Sequence, residues 1–475
     1  MEKIVIIGGG IIGCFLAHDV SKFDVDVTLI ERNADICDEV SCANSAIIHA
    51  GYDPENGSLK AQLNKRGADM YPDICASLHV DYRCCGAYVI ACGQEEEAIL
   101  KELMDRGVSR GITMEWMDRE ALLKEEPHLS QQVSAGLSVP ETAIVTPWEV
   151  GLGLIQEAVC NQVILKLNES VEAIQKAEHG YLVITNQASY PADIVINAAG
   201  LGSQKIMEMV EDTSLFTITP KRGQYFVLSK HAKDFVRHVL YPVPGPSGKG
   251  VLCVPTVHGN ILLGPNSELL AEQDNSTTAV GLREVKEKLQ KTVVDVPYQE
   301  VIHSYSGLRP CGNDNDFFLQ HSPKDNNIIH LGCVDSPGLA SAPAISEYVI
   351  HQLILPYHTL EKKALYHHHK MPKKIKDQSL EERQQLMKKT PAYGHIICRC
   401  EEISEQEVVN CIHEPCGART IKEVKKRVRP GMGKCQGGFC EIEVAKILAR
   451  ELGIALHDVR YDKTRYFMEL KGVKK

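Results

Sequence analysis

The chain has 475 residues, 44% of them hydrophobic and 24% charged, with a formal net charge of −10. That length predicts two or three domains, with ample apolar residue for a core. The acidic balance argues against non-specific nucleic-acid binding, and no apolar run approaches the roughly 20 residues that span a bilayer.

The N-terminus enters a strand pattern at Lys3–Ile7 with glycines behind it, so no signal peptide is expected and a cytoplasmic location is. Peripheral membrane contact, which needs no spanning helix, stays open. Seventeen cysteines in a reducing compartment point to metal or thiol chemistry rather than a disulfide framework. Cys14, Cys160, Cys253 and Cys333 sit singly in apolar stretches and read as small buried hydrophobes.

Lys3–Ile7 is a short continuous apolar run, the pattern of a buried parallel strand. It leads into Gly8-Gly9-Gly10-Ile11-Ile12-Gly13, a G-x-G-x-x-G turn in which Gly8, Gly10 and Gly13 are the required glycines. A helix from Ile12 to about Ser21 and a strand Val25–Ile30 ending at Glu31 follow. The first glycine permits a tight turn, the second lets backbone approach a pyrophosphate, and the third lets helix pack on strand. Unpaired N–H groups at the helix start suit phosphates, and Glu31 suits ribose hydroxyls. This order predicts dinucleotide binding without separating FAD from NAD.

Three later segments carry a resemblance. Ser41-Cys42-Ala43-Asn44-Ser45-Ala46-Ile47-Ile48-His49-Ala50-Gly51 resembles the flavin loop of the D-amino-acid-oxidase-like superfamily. Ala192–Gly200 is similar to its second nucleotide-side strand, and Asp335–Ala344 to its last flavin contact. Within the superfamily the likeness, over residues 1 to about 355, is to FAD-dependent glycerol-3-phosphate dehydrogenases and L-2-hydroxyglutarate oxidases. It implies FAD as cofactor, held by Gly8, Gly10, Gly13, Glu31, Arg32, Asn44, Ser45, Val171, Ala199, Gly200, Ser336, Gly338 and Leu339. It also implies a Rossmann-like FAD domain of α/β and α+β class. An antiparallel substrate sheet, drawn mainly from 81–140 and 216–309, is expected to roof the flavin.

The segment Tyr305-Ser306-Gly307-Leu308-Arg309-Pro310 resembles the family's Gly-x-Arg-Pro stretch, whose arginine holds the anionic end of a substrate. A guanidinium fork fits a phosphate or carboxylate bidentately. His49, in the flavin loop, is the expected base for the hydroxyl proton, and its type titrates near operating pH. His258 is the reserve candidate, and Lys221 and Arg222 are expected to add positive charge.

The body is expected to end near residue 356. From 357 to 394 lysines, histidines and glutamates dominate, which predicts a polar linker with one exposed helix at about Ser379–Lys388. The triple histidine His367–His369 reads as solvated linker in preference to a metal site. Beyond it, Cys398-Arg399-Cys400 and Cys435-Gln436-Gly437-Gly438-Phe439-Cys440 form C-x-C and C-x₄-C pairs. Four thiolates suit either an iron–sulfur cluster or zinc, and the tight C-x-C favours the cluster. The stretch 395–455 resembles the bacterioferritin-associated-ferredoxin-like [2Fe–2S] domain, with 456–475 as a tail. The resemblance makes Cys398, Cys400, Cys435 and Cys440 the ligands, and leaves Cys411 and Cys416 structural. The basic run Lys422–Arg429 is read as a surface for an acidic electron partner or as a solvated helix face.

Joined in one chain, the two modules predict a small helical [2Fe–2S] domain that drains the flavin stepwise toward an external redox protein. The expected activity is oxidation of sn-glycerol 3-phosphate to dihydroxyacetone phosphate. Alternatives are an L-2-hydroxyglutarate or other 2-hydroxy acid dehydrogenase, an amine or amino-acid dehydrogenase, and an electron-transfer subunit of a larger complex.

Overall fold

The computed structural model describes residues 2–245 and 250–468. Lys3–Ile7 lies inside a six-stranded sheet ordered Phe318–Ser322, Asp325–Gly332, Ile194–Asn197, Lys3–Ile7, Asp26–Ile30, Ile164–Lys166. Its strands run parallel except at the edge pair Phe318–Ser322 with Asp325–Gly332. Parallel strands are covered on both faces, which is why Ile4, Val5 and Ile6 are all buried. Helices Ile11–Val20, Pro147–Cys160 and Gly338–Tyr348 cover one face. The antiparallel ribbon Val171–Lys176, Tyr181–Thr185, Ser189–Ala192 covers the other through Val171, Ile174 and Val183. The helix after the glycine turn begins at Ile11, one residue earlier than its apolar pattern suggests.

A nine-stranded sheet forms the second layer, with strands drawn from 87–139 and 219–311. Its longest pair, Thr219–Leu228 with Val301–Cys311, is antiparallel and sets Lys221 opposite Arg309 and Tyr225 opposite Tyr305. Val239–Pro242 runs parallel to Ala87–Ala91, so the expected antiparallel sheet contains one parallel junction. A strand's side chains alternate between faces, so Tyr305, Gly307 and Arg309 share one side of the sheet.

The C-terminal module packs three helices, Glu405–His413, Ile421–Val428 and Glu441–Leu452, around Val408, Ile412, Val424, Val444 and Leu448. Ser404 caps the first helix in a capping box with Glu407. The basic run is neither a free surface nor a solvated face. Arg427 forks onto Asp35 at 2.9 and 3.0 Å, Lys426 meets the same carboxylate at 3.0 Å, and Lys422 meets Asp38 at 2.9 Å. These contacts dock the module against the loop that follows the Glu31 strand.

The polar stretch expected as a linker lies along the body. Glu361 O accepts from Asp24 N, Lys363 N donates to Lys22 O, and Met371 N donates to Leu78 O. Ile375 is buried, and its N–H donates to Glu407 of the module at 3.1 Å. The triple histidine is pinned here, with His367 N on Asn161 and His369 N on Glu157. The helix Leu380–Lys389 buries no residue. Cys14, Cys253 and Cys333 are buried, whereas Cys160 is exposed where its helix ends, contrary to expectation. Of the C-terminal tail, Leu456–Asp458 forms a short 3-10 turn and Val459 is buried, while 469–475 lie outside the described residues. Among the described residues no helix is long and apolar enough to cross a membrane.

Candidate active site

The glycine turn is built as its chemistry requires. Gly8 has φ of +108°, and a Cβ there would stand 2.5 Å from Ala198 O. On Gly13 a Cβ would lie 1.9 Å from Gly8 O, so only glycine lets the helix sit this close to the strand. Ile11 N at the helix start donates to Ser41 Oγ at 2.9 Å, tying the flavin-like loop to the turn. Glu31 accepts from Gly9 N at 2.7 Å and from Asn33 N at 2.8 Å. Burial pushes its carboxyl above the ordinary range against these two bonds. Arg32 forks onto Glu39 at 2.9 and 2.7 Å.

One cavity of about 310 Å³ runs from this turn to the second sheet. Gly8, Gly10, Glu31, Arg32, Asn44, Ser45, Val171, Ala199, Gly200, Ser336, Gly338 and Leu339 all line it, as do His49 and Arg309. Gly13 lies behind it as a packing residue. The cavity therefore fits a dinucleotide: a phosphate turn and a buried acid at one end, and a polar reaction chamber at the other.

At the chamber end His49 Nδ1 lies 3.0 Å from Tyr241 Oη, and its carbonyl accepts from Asn64 at 2.7 Å. Arg309 Nη2 donates to Asn266 O at 3.2 Å. Tyr225 and Tyr305 stack with centroids 4.6 Å apart and planes 8° from parallel. Ser45 Oγ meets Tyr225 Oη at 3.1 Å, and Tyr305 Oη donates to Asn44 O at 2.8 Å, so the pair clamps the loop 41–51. Asn44 shapes that loop itself, donating to Val40 O and Ser41 O and accepting from Ala46 N. A Cβ on Gly307 would stand 1.8 Å from Ala43 O, so the loop rests directly on the sheet. Behind the Ser336 turn Lys60 meets Asp335 at 2.6 Å, both largely buried.

Two expected residues are elsewhere. His258 lines a different cavity, where Nε2 lies 3.0 Å from both Glu149 and Thr146. Asp81 completes a group of possible metal ligands with His258 and Glu149, but Lys374 Nζ already sits 2.9 Å from Asp81 and 3.5 Å from Glu149. Arg222 is turned away and paired with Glu268 and Asp274, because its neighbour Lys221 and not Arg222 shares the alternation of Arg309. Tyr241, Tyr225 and Tyr305 join the site beyond the residues expected from sequence. Tyr305 had a local signal, four residues before Arg309 on the same strand face; Tyr241 had none.

The module's four thiols form two pairs: Cys400 Sγ and Cys435 Sγ are 3.8 Å apart, and Cys398 is hydrogen-bonded to Cys440. A single zinc with bonds of about 2.3 Å would gather all four sulfurs within roughly 4 Å of one another. Among the described residues the group of three or more ligand atoms lying within 4.8 Å of one another is Asp81, Glu149 and His258, and the thiols are not part of it. Two pairs suit two irons. The Cys398 thiol is pulled below its ordinary pKa by the bond from Cys440, with help from the N–H groups of Gly431, Glu401 and Cys400, and burial opposes them. Cys411 is buried and donates to Val408 O, outside the set.

A parallel sheet with this glycine turn, a roofing sheet and a four-thiol module together define a flavoprotein oxidoreductase with an attached iron–sulfur domain. Residues 3–352 match the model of the family FAD dependent oxidoreductase, and the chain belongs to that family. Residues 396–450 match the BFD-like [2Fe-2S] binding domain, so the cofactors are FAD and a [2Fe–2S] cluster. The chain is 40% identical to a glycerol 3-phosphate dehydrogenase of Caloramator mitchellensis, over 97% of both chains. It is 30% identical to a glycerol 3-phosphate oxidase of Mycoplasma genitalium, over 74% of this chain and 94% of that one. The structure of L-alpha-glycerophosphate oxidase from Mycoplasma pneumoniae with FAD bound superposes with a TM-score of 0.74, at 28% identity, covering 78% of this chain and 100% of that one.

Proposed function

We propose that this chain oxidises sn-glycerol 3-phosphate to dihydroxyacetone phosphate. The observation that carries the reading is the single cavity that holds the Gly8–Gly10 turn and Glu31 at one end and His49 with Arg309 at the other. The similarity to glycerol 3-phosphate enzymes along nearly the whole chain supports the substrate. When bound, FAD supplies a hydride acceptor at N5 and the cluster a one-electron carrier toward an external redox protein.

The chain's own residues supply the rest. Arg309 holds the phosphate, its guanidinium positioned from behind by Asn266 O. His49, steadied at Nδ1 by Tyr241, takes the hydroxyl proton at Nε2 as the carbon gives up hydride and the C=O bond forms. The Tyr225–Tyr305 stack walls one side of the chamber against water. Cys398, Cys400, Cys435 and Cys440 hold the cluster in 395–455, and residues 1–356 form the catalytic body. Product analysis tests the substrate. Dihydroxyacetone phosphate, formed in step with acceptor reduction, is the expected product; a 2-oxo acid from L-2-hydroxyglutarate alone would replace the substrate and keep the architecture.

A further inference from the structure

Beyond the Tyr225–Tyr305 stack lies a second cavity of about 440 Å³, between the roofing sheet and the module helix Ile421–Val428. It shares Ala43, Asn44 and Ala46 with the flavin cavity, and on its far side it touches Gln436, the residue after Cys435. Its wall is strongly one-sided in charge. Lys422, Lys425, Lys426, Arg429 and Arg465 line it, and no aspartate or glutamate does among the described residues.

Four of these cations already have carboxylate partners. Lys422 pairs with Asp38, Lys426 with Asp35 and Asp38, Arg429 with Glu401, and Arg465 with Asp462. Lys425 is half-buried and has no ion pair among the described residues. Burial, aided by Arg429, pulls its pKa down, and Glu441 and the cluster ligand Cys440 only partly oppose this. A half-buried cation with no carboxylate in ion-pair contact gains from an anion placed beside it. His303 adds a polar ring to the wall, and a volume of this size lies within the range that small-molecule sites occupy.

We propose that this cavity is a second ligand site, separate from the flavin cavity, that binds a phosphate-bearing small molecule with Lys425 as its principal cation. Placed there, the ligand contacts both the flavin loop and the loop that carries Cys435. The inference does not depend on which substrate the flavin cavity oxidises.

The test is calorimetric titration of the full-length, cofactor-loaded protein with inorganic pyrophosphate at low ionic strength. One site per chain is expected. Lys425→Ala should weaken it at least tenfold, Lys425→Arg should restore most of the affinity, and Arg309→Lys should leave it within twofold. No binding by the unaltered protein, an unchanged affinity in Lys425→Ala, or a loss confined to Arg309→Lys would overturn the proposal; the last places the anion in the flavin cavity. Should Lys425→Ala lose its flavin or its folded transition, Lys425→Gln takes its place under the same criteria. Tighter binding of adenosine monophosphate than of pyrophosphate would identify a nucleotide ligand, and the reverse a free phosphate; both support the site.

Discussion

Tyr241 Oη lies 3.0 Å from Nδ1 of His49, joining the roofing sheet to the flavin loop across 192 positions of sequence. Burial pushes the Tyr241 phenol well above its ordinary pKa, so it stays neutral and can accept a hydrogen bond from Nδ1–H. A neutral phenol can also donate to Nδ1, so the proposed proton transfer requires the tautomer in which Nδ1–H donates to Tyr241 and Nε2 is the basic nitrogen. Tyr241 is then a positioning residue. His49→Gln should slow flavin reduction by roughly 10²–10⁴-fold, the usual contribution of a general base. Tyr241→Phe should slow it by about tenfold with KM nearly unchanged, which corresponds to about 1.4 kcal/mol in the transition state. Stopped-flow reduction under anaerobic conditions checks both, and a change in KM alone would argue for a merely structural tyrosine.

Arg309→Lys keeps the charge and loses the fork. KM for sn-glycerol 3-phosphate should rise about tenfold or more, with a smaller change in kcat, because one of two charge-assisted bonds is lost. Steady-state kinetics with the product assay decides this. An unchanged KM would remove Arg309 from the substrate site.

Asp35 ties the cluster module to the body, and its titration gives a signed pH prediction. Burial opposes its ionisation, but the charges of Arg427 and Lys426 outweigh that and hold the carboxyl at about 2, below the ordinary 3.8. A depressed carboxyl contributes stability that is present above its unfolded pKa and lost as pH falls through the folded one. The window is therefore from about 4 down to about 2. Asp35→Asn should cost about 3–5 kcal/mol at neutral pH, since it leaves Arg427 buried without a carboxylate partner and Lys426 with Asp38 alone. It should also flatten the fall in stability across that window. Denaturant melts at a series of pH values measure both effects.

How far the sequence could be read follows from how far apart the partners are. The glycine turn, Glu31 and the four module thiols each lie within a few dozen residues of their partners, and local spacing exposed them. The strand face that gathers Tyr305, Gly307 and Arg309 was available from alternation alone. By contrast, the basic run 422–429 showed its charge but not its destination, because Asp35 lies 392 positions from Arg427. His258 is the reserve base by sequence, yet it lines another cavity. Its true neighbour Glu149 sits on a helix whose position only the assembled sheet determines. The polar stretch 357–394 reads as free chain because many of its anchors are backbone groups, and its side-chain anchor Lys374 finds Asp81 293 positions away.

Cys400→Ser separates the two cofactors. Cys400 is exposed and pairs with Cys435, so its loss should empty the cluster without disturbing the body. Iron should fall from about two per chain toward none, and turnover with an external acceptor should drop at least tenfold, while flavin bleaching by substrate persists. Loss of bleaching as well would show that the module supports the flavin site directly.

The most direct measurement is an anaerobic absorbance titration of the full-length protein with sn-glycerol 3-phosphate, beside a parallel titration with L-2-hydroxyglutarate. The first should bleach the flavin band and also lower the visible absorbance of the cluster, and the second should do neither at comparable concentration. A protein that carries flavin and iron but is bleached by neither compound would contradict the proposed activity.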